Sequence, residues 1–205
     1  MRFIARLYSY LFHPLFIPIY MLIVLFNIAF MGVQRLTYQF KLIILSLLLV
    51  NTVLLPIISF FFMKRQGIIQ SFKMENAMER NIPYIVLAAL YALTTTMLIR
   101  VQYIDPSIVF IPMSAAASIL TIIPINKHIK ISAHTTAMGS AIAYLFLLHF
   151  YTESNLVLPI IFAILFTGIT ASSRLYLKAH NKMEVYSGFF MGLITTFLIG
   201  TFYLF

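Results

Sequence analysis

The chain has 205 residues, of which 62% are hydrophobic and only 9% charged; it contains 20 Phe, no Trp and no Cys, and its formal net charge is +9. A soluble domain cannot bury that much apolar surface, so lipid is the solvent for most of the chain, and the expected fold class is all-α: a polytopic transmembrane helical bundle of six or seven spans forming one domain over residues 1–205. The absence of Cys excludes disulfides, thiolate catalysis and cysteine-ligated metals, and the scatter of the basic residues excludes a nucleic-acid surface, so the positive charge points to anionic lipid or phosphate.

The opening Met1-Arg2-Phe3-Ile4-Ala5-Arg6 is like the start of a signal peptide, but no small-residue cleavage site follows, and an uncleaved start is expected. Requiring roughly 17 to 25 residues per span cuts out seven apolar runs: Leu11 to Met31, Tyr38 to Met63, Ile82 to Ile99, Pro106 to Ile125, Thr135 to Phe150, Leu156 to Ala171 and Val185 to Phe205. Pro14, Pro18, Pro56, Pro112, Pro124 and Pro159 fall in or near these runs and predict kinks, not breaks, because neighbouring groups in a bundle satisfy the freed carbonyls. Ser114 to Ser118, Gly139 to Ala143 and the pair Gly188 and Gly192 mark close helix contacts within the monomer. His13, Asn51 and His149 lie in apolar surroundings, where a hydrogen bond across helices is expected.

The connections are unequal. Those after the second, fourth and sixth runs carry the polar chemistry: Lys64 to Asn81, Asn126 to His134, and Ser172 to Glu184. Two spans separate each from the next, so all three emerge on one membrane face and can build one site. The first offers Lys73, six further residues and then Arg80, two cations able to converge on a phosphate, with Glu75 and Glu79 as pairing partners; read alone, it is an ordinary loop of topology-setting charges. The second ends in Ser132-Ala133-His134 at the start of an apolar helix, where Ser132 is an N-cap and the first-turn amides favour an anion. Lys127, His128 and Lys130 before it read as orientation anchors near lipid head groups. The third gathers Arg174, Lys178, His180, Lys182 and Glu184. If it turns helical after Arg174, His180 and Glu184 share a face, and the carboxylate accepts the proton of one imidazole nitrogen and leaves the other free to react.

Together the three segments resemble the three-part signature of the type 2 phosphatidic acid phosphatase superfamily, membrane lipid phosphatases with a vanadium haloperoxidase-like helical core. That signature runs Lys, six residues, Arg-Pro; then Pro-Ser-Gly-His; then Ser-Arg, five residues, His, three residues, Asp. Lys73 and Arg80, Ser132 and His134, and Ser173, Arg174 and His180 match in order and spacing, over roughly residues 70 to 190. Asn81 stands where the motif has proline, Ile131 and Ala133 flank Ser132 in place of proline and glycine, and Glu184 replaces the aspartate. Alanine at 133 restricts the loop if a positive φ is required there. Glu184 keeps the carboxylate with one more methylene.

The resemblance implies a phosphatase acting on a lipid phosphomonoester or pyrophosphate. His180, oriented by Glu184, attacks phosphorus and forms a phosphohistidine; His134 acts as general acid and then activates water; and Lys73, Arg80, Arg174, Ser132 and the amides near Ala133 hold the phosphoryl oxygens. No cofactor and no metal are expected, since the few carboxylates and histidines form no second cluster with ligand spacing. The expected partners are a membrane lipid phosphate and the surrounding lipids. The alternative is a relative with weak or no catalysis that binds or transports lipid phosphate; an unrelated small transporter or channel fits poorly, because no charge sits convincingly at mid-bilayer. Eleven Lys and Arg lie on the site side (Arg2, Arg6, Lys64, Arg65, Lys73, Arg80, Lys127, Lys130, Arg174, Lys178, Lys182) and three opposite (Arg35, Lys41, Arg100), which puts the site in the cytoplasm by the positive-inside rule. Bacterial members of the family it resembles more often work on the outer face. An integral protein of a bacterial cytoplasmic (inner) membrane is therefore expected, with the face of its site open.

Overall fold

A computed structural model describes residues 2–28, 30–72, 74, 76 and 78–205; Lys73 and Glu75 lie outside the described residues. Helices account for the architecture, and no strand occurs among the described residues. In chain order they are α1 (Arg2–Leu11), α2 (Ile17–Phe26), α3 (Met31–Gln34), α4 (Tyr38–Leu49), α5 (Leu55–Arg65), α6 (Asn81–Ile99), α7 (Pro106–Ile125), α8 (Ala133–Tyr151), α9 (Val157–Tyr176) and α10 (Lys182–Leu204).

Five stretches are long and apolar enough to cross a membrane: Tyr38–Arg65, Met78–Ile99, Pro106–Ile125, Val157–Tyr176 and Lys182–Leu204. The chain is thus a helical membrane protein, with five such stretches where six or seven spans are expected from sequence. The two other apolar runs differ for separate reasons. The first contracts to α2, whose ten residues reach about 15 Å, half the hydrocarbon thickness. The fifth becomes α8, long enough but less apolar, because its His, Ser, Thr and Gly residues face protein.

Proline does not break the spans. Before Pro56 the helix widens into a π turn at Val50–Leu54 and then continues as α5, which relieves the clash of the proline ring with the preceding turn. Pro112 and Pro124 lie inside an uninterrupted α7. Asn51 and His149 do not bridge helices: Asn51 donates to Leu47 O in its own helix at 3.0 Å, and His149 contacts Ser154 O at 2.6 Å in the following loop.

Helix α8 runs through the centre, packed by α7, α9 and α10. Its closest neighbour is α10, and the glycines explain why. A Cβ on Gly188 would lie 2.6 Å from Thr135 Oγ1 and 2.7 Å from Ser132 O, and one on Gly192 would strike the Thr136 carbonyl. The Ser140 hydroxyl crosses the same seam, donating to Gly192 O at 3.3 Å, and on its other side lies 3.0 Å from Ser118 Oγ of α7. Between helices in lipid, small residues and such bonds replace the hydrophobic drive of a soluble core. The start of α10 is thereby held against the start of α8.

Candidate functional site

Four helix ends meet at one end of the bundle: the starts of α6, α8 and α10 and the end of α9. The third polar segment is not one helix. Helix α9 runs on to Tyr176 and so carries Ser173 and Arg174 inside its last turn. It stops because Lys178 adopts a left-handed φ of 54°, with Lys178 N–H on Leu175 O at 3.0 Å and Ala179 N–H on Arg174 O at 3.1 Å, the reversal that usually ends a helix. Asn181 then caps α10. Its side chain accepts from the Glu184 amide at 2.9 Å, and Glu184 Oε2 accepts from the Asn181 amide at 3.3 Å, a reciprocal capping box.

That box sets the histidine. His180, just before the cap and 7% exposed, places Nδ1 2.8 Å from Glu184 Oε2 and 3.2 Å from Lys130 O. Both partners only accept, so Nδ1 carries the proton of the neutral ring and Nε2 carries the lone pair. Burial pushes the imidazole down to about 4, helped by the Arg80 and Arg174 guanidiniums and opposed by the Glu184 carboxylate. His180 is therefore a neutral imidazole at pH 7. The two residues straddle a helix cap and do not lie along one helical face, so the carboxylate meets the ring across the start of α10. Glu184 Oε2 meets both the Asn181 amide and the ring.

Arg80, 8% exposed, closes a 3₁₀ turn, Met78–Arg80. Its Nε donates to Met74 O at 2.9 Å and its Nη1 to Ile131 O at 3.3 Å, so it ties the first polar segment to the second. Asn81, in the place of the motif proline, opens α6 and accepts from Asn126 Nδ2 at 3.4 Å. Glu79 meets the Gln70 amide at 3.3 Å.

Ser132 occupies the N-cap position of α8, but its hydroxyl makes no cap bond; instead its carbonyl accepts from Thr136 N–H. The Ser132 amide donates to Glu184 O at 3.1 Å, joining the second segment to the third. Ala133 is not among the residues with positive φ and fits without strain.

His134 turns toward the N-terminal segment. Its Nε2 lies 3.1 Å from Ser9 O, and its ring meets that of His13 edge-on, with centroids 5.2 Å apart. Because a carbonyl accepts, Nε2 holds the proton of the neutral ring, and Nδ1 is left to exchange one with water or a ligand. No hydrogen bond joins His134 to the His180–Glu184 pair among the described residues, although Arg174, His13 and His180 all lie within its electrostatic reach.

The structure joins Ser132 to Glu184 and Glu184 to His180 by direct hydrogen bonds, ties Arg80 to the same place through the Ile131 carbonyl, sets Arg174 and His134 within electrostatic reach, and leaves Lys73 outside the described residues. Two buried polar atoms here, Ser132 Oγ and Arg174 Nε, have no hydrogen-bond partner among the described residues. Arg80 and Arg174 also sit within electrostatic reach of each other. Below the first turn of α8, a narrow cleft with a cavity volume of about 70 Å³ runs between α2, α6, α7 and α8, from Ala133 and Thr136 past Pro18 and Ile119 to Tyr91 and Tyr144.

Three participants escape sequence reading. Asn181 was detectable, since Asn-x-x-Glu is a capping-box pattern. Ser9 carried no signal, since it contributes a backbone carbonyl, and His13 stood out as a polar residue in an apolar run but with nothing to point to His134 as the ring it meets. No protein-family model, curated protein or solved structure matches the chain.

Proposed function

We propose that this protein is an integral membrane lipid phosphate phosphatase, hydrolysing a phosphomonoester or pyrophosphate through a phosphohistidine. One observation carries the reading: His180, fixed by Glu184 with Nε2 as its lone-pair nitrogen, stands in a buried setting beside two guanidiniums and two unpartnered polar atoms. Like charges gathered with a single nearby carboxylate favour an anionic ligand. The resemblance of the three motifs to the type 2 phosphatidic acid phosphatase signature names phosphate as that anion.

In this reading His180 Nε2 attacks phosphorus and the P–O bond to the leaving group breaks. The leaving oxygen takes a proton from His134 Nδ1, which must have been charged beforehand because Nε2–H is held on Ser9. Water then attacks phosphorus while His134 Nδ1 accepts its proton; the new P–O bond forms as the P–N bond breaks, its electron pair returning to His180 Nε2, and phosphate departs. Arg80, Arg174, Ser132 and the α8 amides at Ala133 stabilise the charge on the equatorial oxygens, with Lys73 as a further cation by its motif position. The cleft leading from Ala133 suits a hydrocarbon chain whose head sits at the cation cluster, consistent with a lipid substrate.

A second reading, binding or transport of lipid phosphate without turnover, draws on the engagement of His134 by Ser9. Phosphate release from a panel of short-chain lipid phosphates by purified protein without added metal separates the two. Release that is inhibited by vanadate and abolished in His180→Ala is expected. No release across the panel, with lipid phosphate still bound, establishes the second.

A further inference from the structure

The N-terminal helix α1 is ten residues long, too short to span, and it packs against α9. Only Ala5 and Ser9 are buried. Around the remaining surface, Phe3 (77% exposed), Leu7, Tyr10 (71% exposed) and Leu11 form one apolar arc, and Arg2 and Arg6 stand together at its edge, also exposed. An apolar arc bordered by arginines is the pattern of a helix seated at a lipid surface, with aromatic and aliphatic side chains in the acyl boundary and cations at the head groups. The same helix supplies the carbonyl that holds His134: Ser9 O accepts from Nε2 at 3.1 Å, and His13, two residues past the helix, packs its ring edge-on against His134. The segment that meets the bilayer is thus the segment that fixes one tautomer of a buried histidine.

We infer that α1 is an anionic-lipid-binding helix whose seating on the membrane, through Arg2 and Arg6, positions His134 by way of the Ser9 carbonyl. The bilayer is the occupant because α1 belongs to a membrane-spanning bundle, its apolar arc is uncovered, and its exposed charges are positive. The inference holds whatever chemistry His134 performs.

The absence of Trp from the chain makes the test direct. Tyr10→Trp introduces a single fluorophore on the exposed arc. In vesicles containing brominated phosphatidylglycerol or brominated phosphatidylcholine at equal fraction, quenching should report a preference for the anionic lipid of about 5-fold per arginine, equivalent to about 1 kcal/mol each. Arg2→Gln with Arg6→Gln should remove that preference. Equal quenching by the two lipids, or a preference that survives the double substitution, overturns the lipid role. Nitrogen-15 histidine spectra, with the His134 signal identified by its loss in His134→Asn, read the coupling. Phosphatidylglycerol should move His134 toward the Nε2–H tautomer in the wild type and not in the double variant, and a tautomer indifferent to the lipid overturns the coupling. Neither readout depends on phosphatase activity.

Discussion

Glu184 Oε2 lies 2.8 Å from His180 Nδ1 and 3.3 Å from the Asn181 amide, so one carboxylate oxygen both caps a helix and orients a histidine. The two duties can be separated by substitution, because Gln serves in a capping box but carries no charge.

Glu184→Gln should therefore leave the melting temperature close to that of the parent while lowering phosphate release by on the order of 100-fold, since an uncharged amide no longer stabilises charge on the ring. Glu184→Ala should lower release as well and lose up to about 1 kcal/mol of stability from the missing half of the capping box, since Asn181 still accepts from the amide of residue 184. Thermal melts in detergent alongside kcat for phosphate release test the pair. Equal activity of Glu184→Gln and the parent would remove the carboxylate from the chemistry.

The depressed value of His180, about 4, has a defined sign. The unfolded ring titrates near 6.5, so between pH 6.5 and 4 the unfolded chain binds the proton more readily than the native one. The His180 contribution to stability is thus complete above about pH 6.5 and is lost as pH falls toward 4. The nucleophile, in the same terms, stays neutral at pH 5. Stability measured from pH 7 to 4 should fall less steeply in His180→Gln than in the parent, and the acidic limb of kcat/KM should lie near 4 and not near 6.5.

Gly188 and Gly168 form an internal control on helix contact. A Cβ at Gly188 meets Thr135 Oγ1 and Ser132 O at 2.6 and 2.7 Å, whereas one at Gly168 meets nothing within 4 Å. Gly188→Ala should destabilise by about 1–3 kcal/mol and reduce phosphate release, because it pushes the start of α10, with His180 and Glu184, away from Ser132. Gly168→Ala should be neutral or stabilising by up to about 1 kcal/mol, as expected for alanine in an open helical position. Melting temperatures of the two variants, compared with the parent, decide the point.

Composition alone determined the helical membrane class, because 62% hydrophobic residues leave lipid as the only adequate solvent. Spacing and parity determined which polar segments share an end of the bundle, and the Arg80–Ile131, Ser132–Glu184 and His180–Lys130 bonds place those segments together. Tertiary structure decided what pattern cannot carry. Whether an apolar run spans depends on what surrounds it, which is why α8 became a central helix whose small and polar residues face protein. Where a helix stops depends on single backbone angles, here the left-handed Lys178, so the His180–Glu184 pair straddles the α10 cap and does not share one face of a helix running on from Arg174. The partner of His134 is a main-chain carbonyl 125 residues away in sequence, and every residue type has that group, so only the fold could select Ser9.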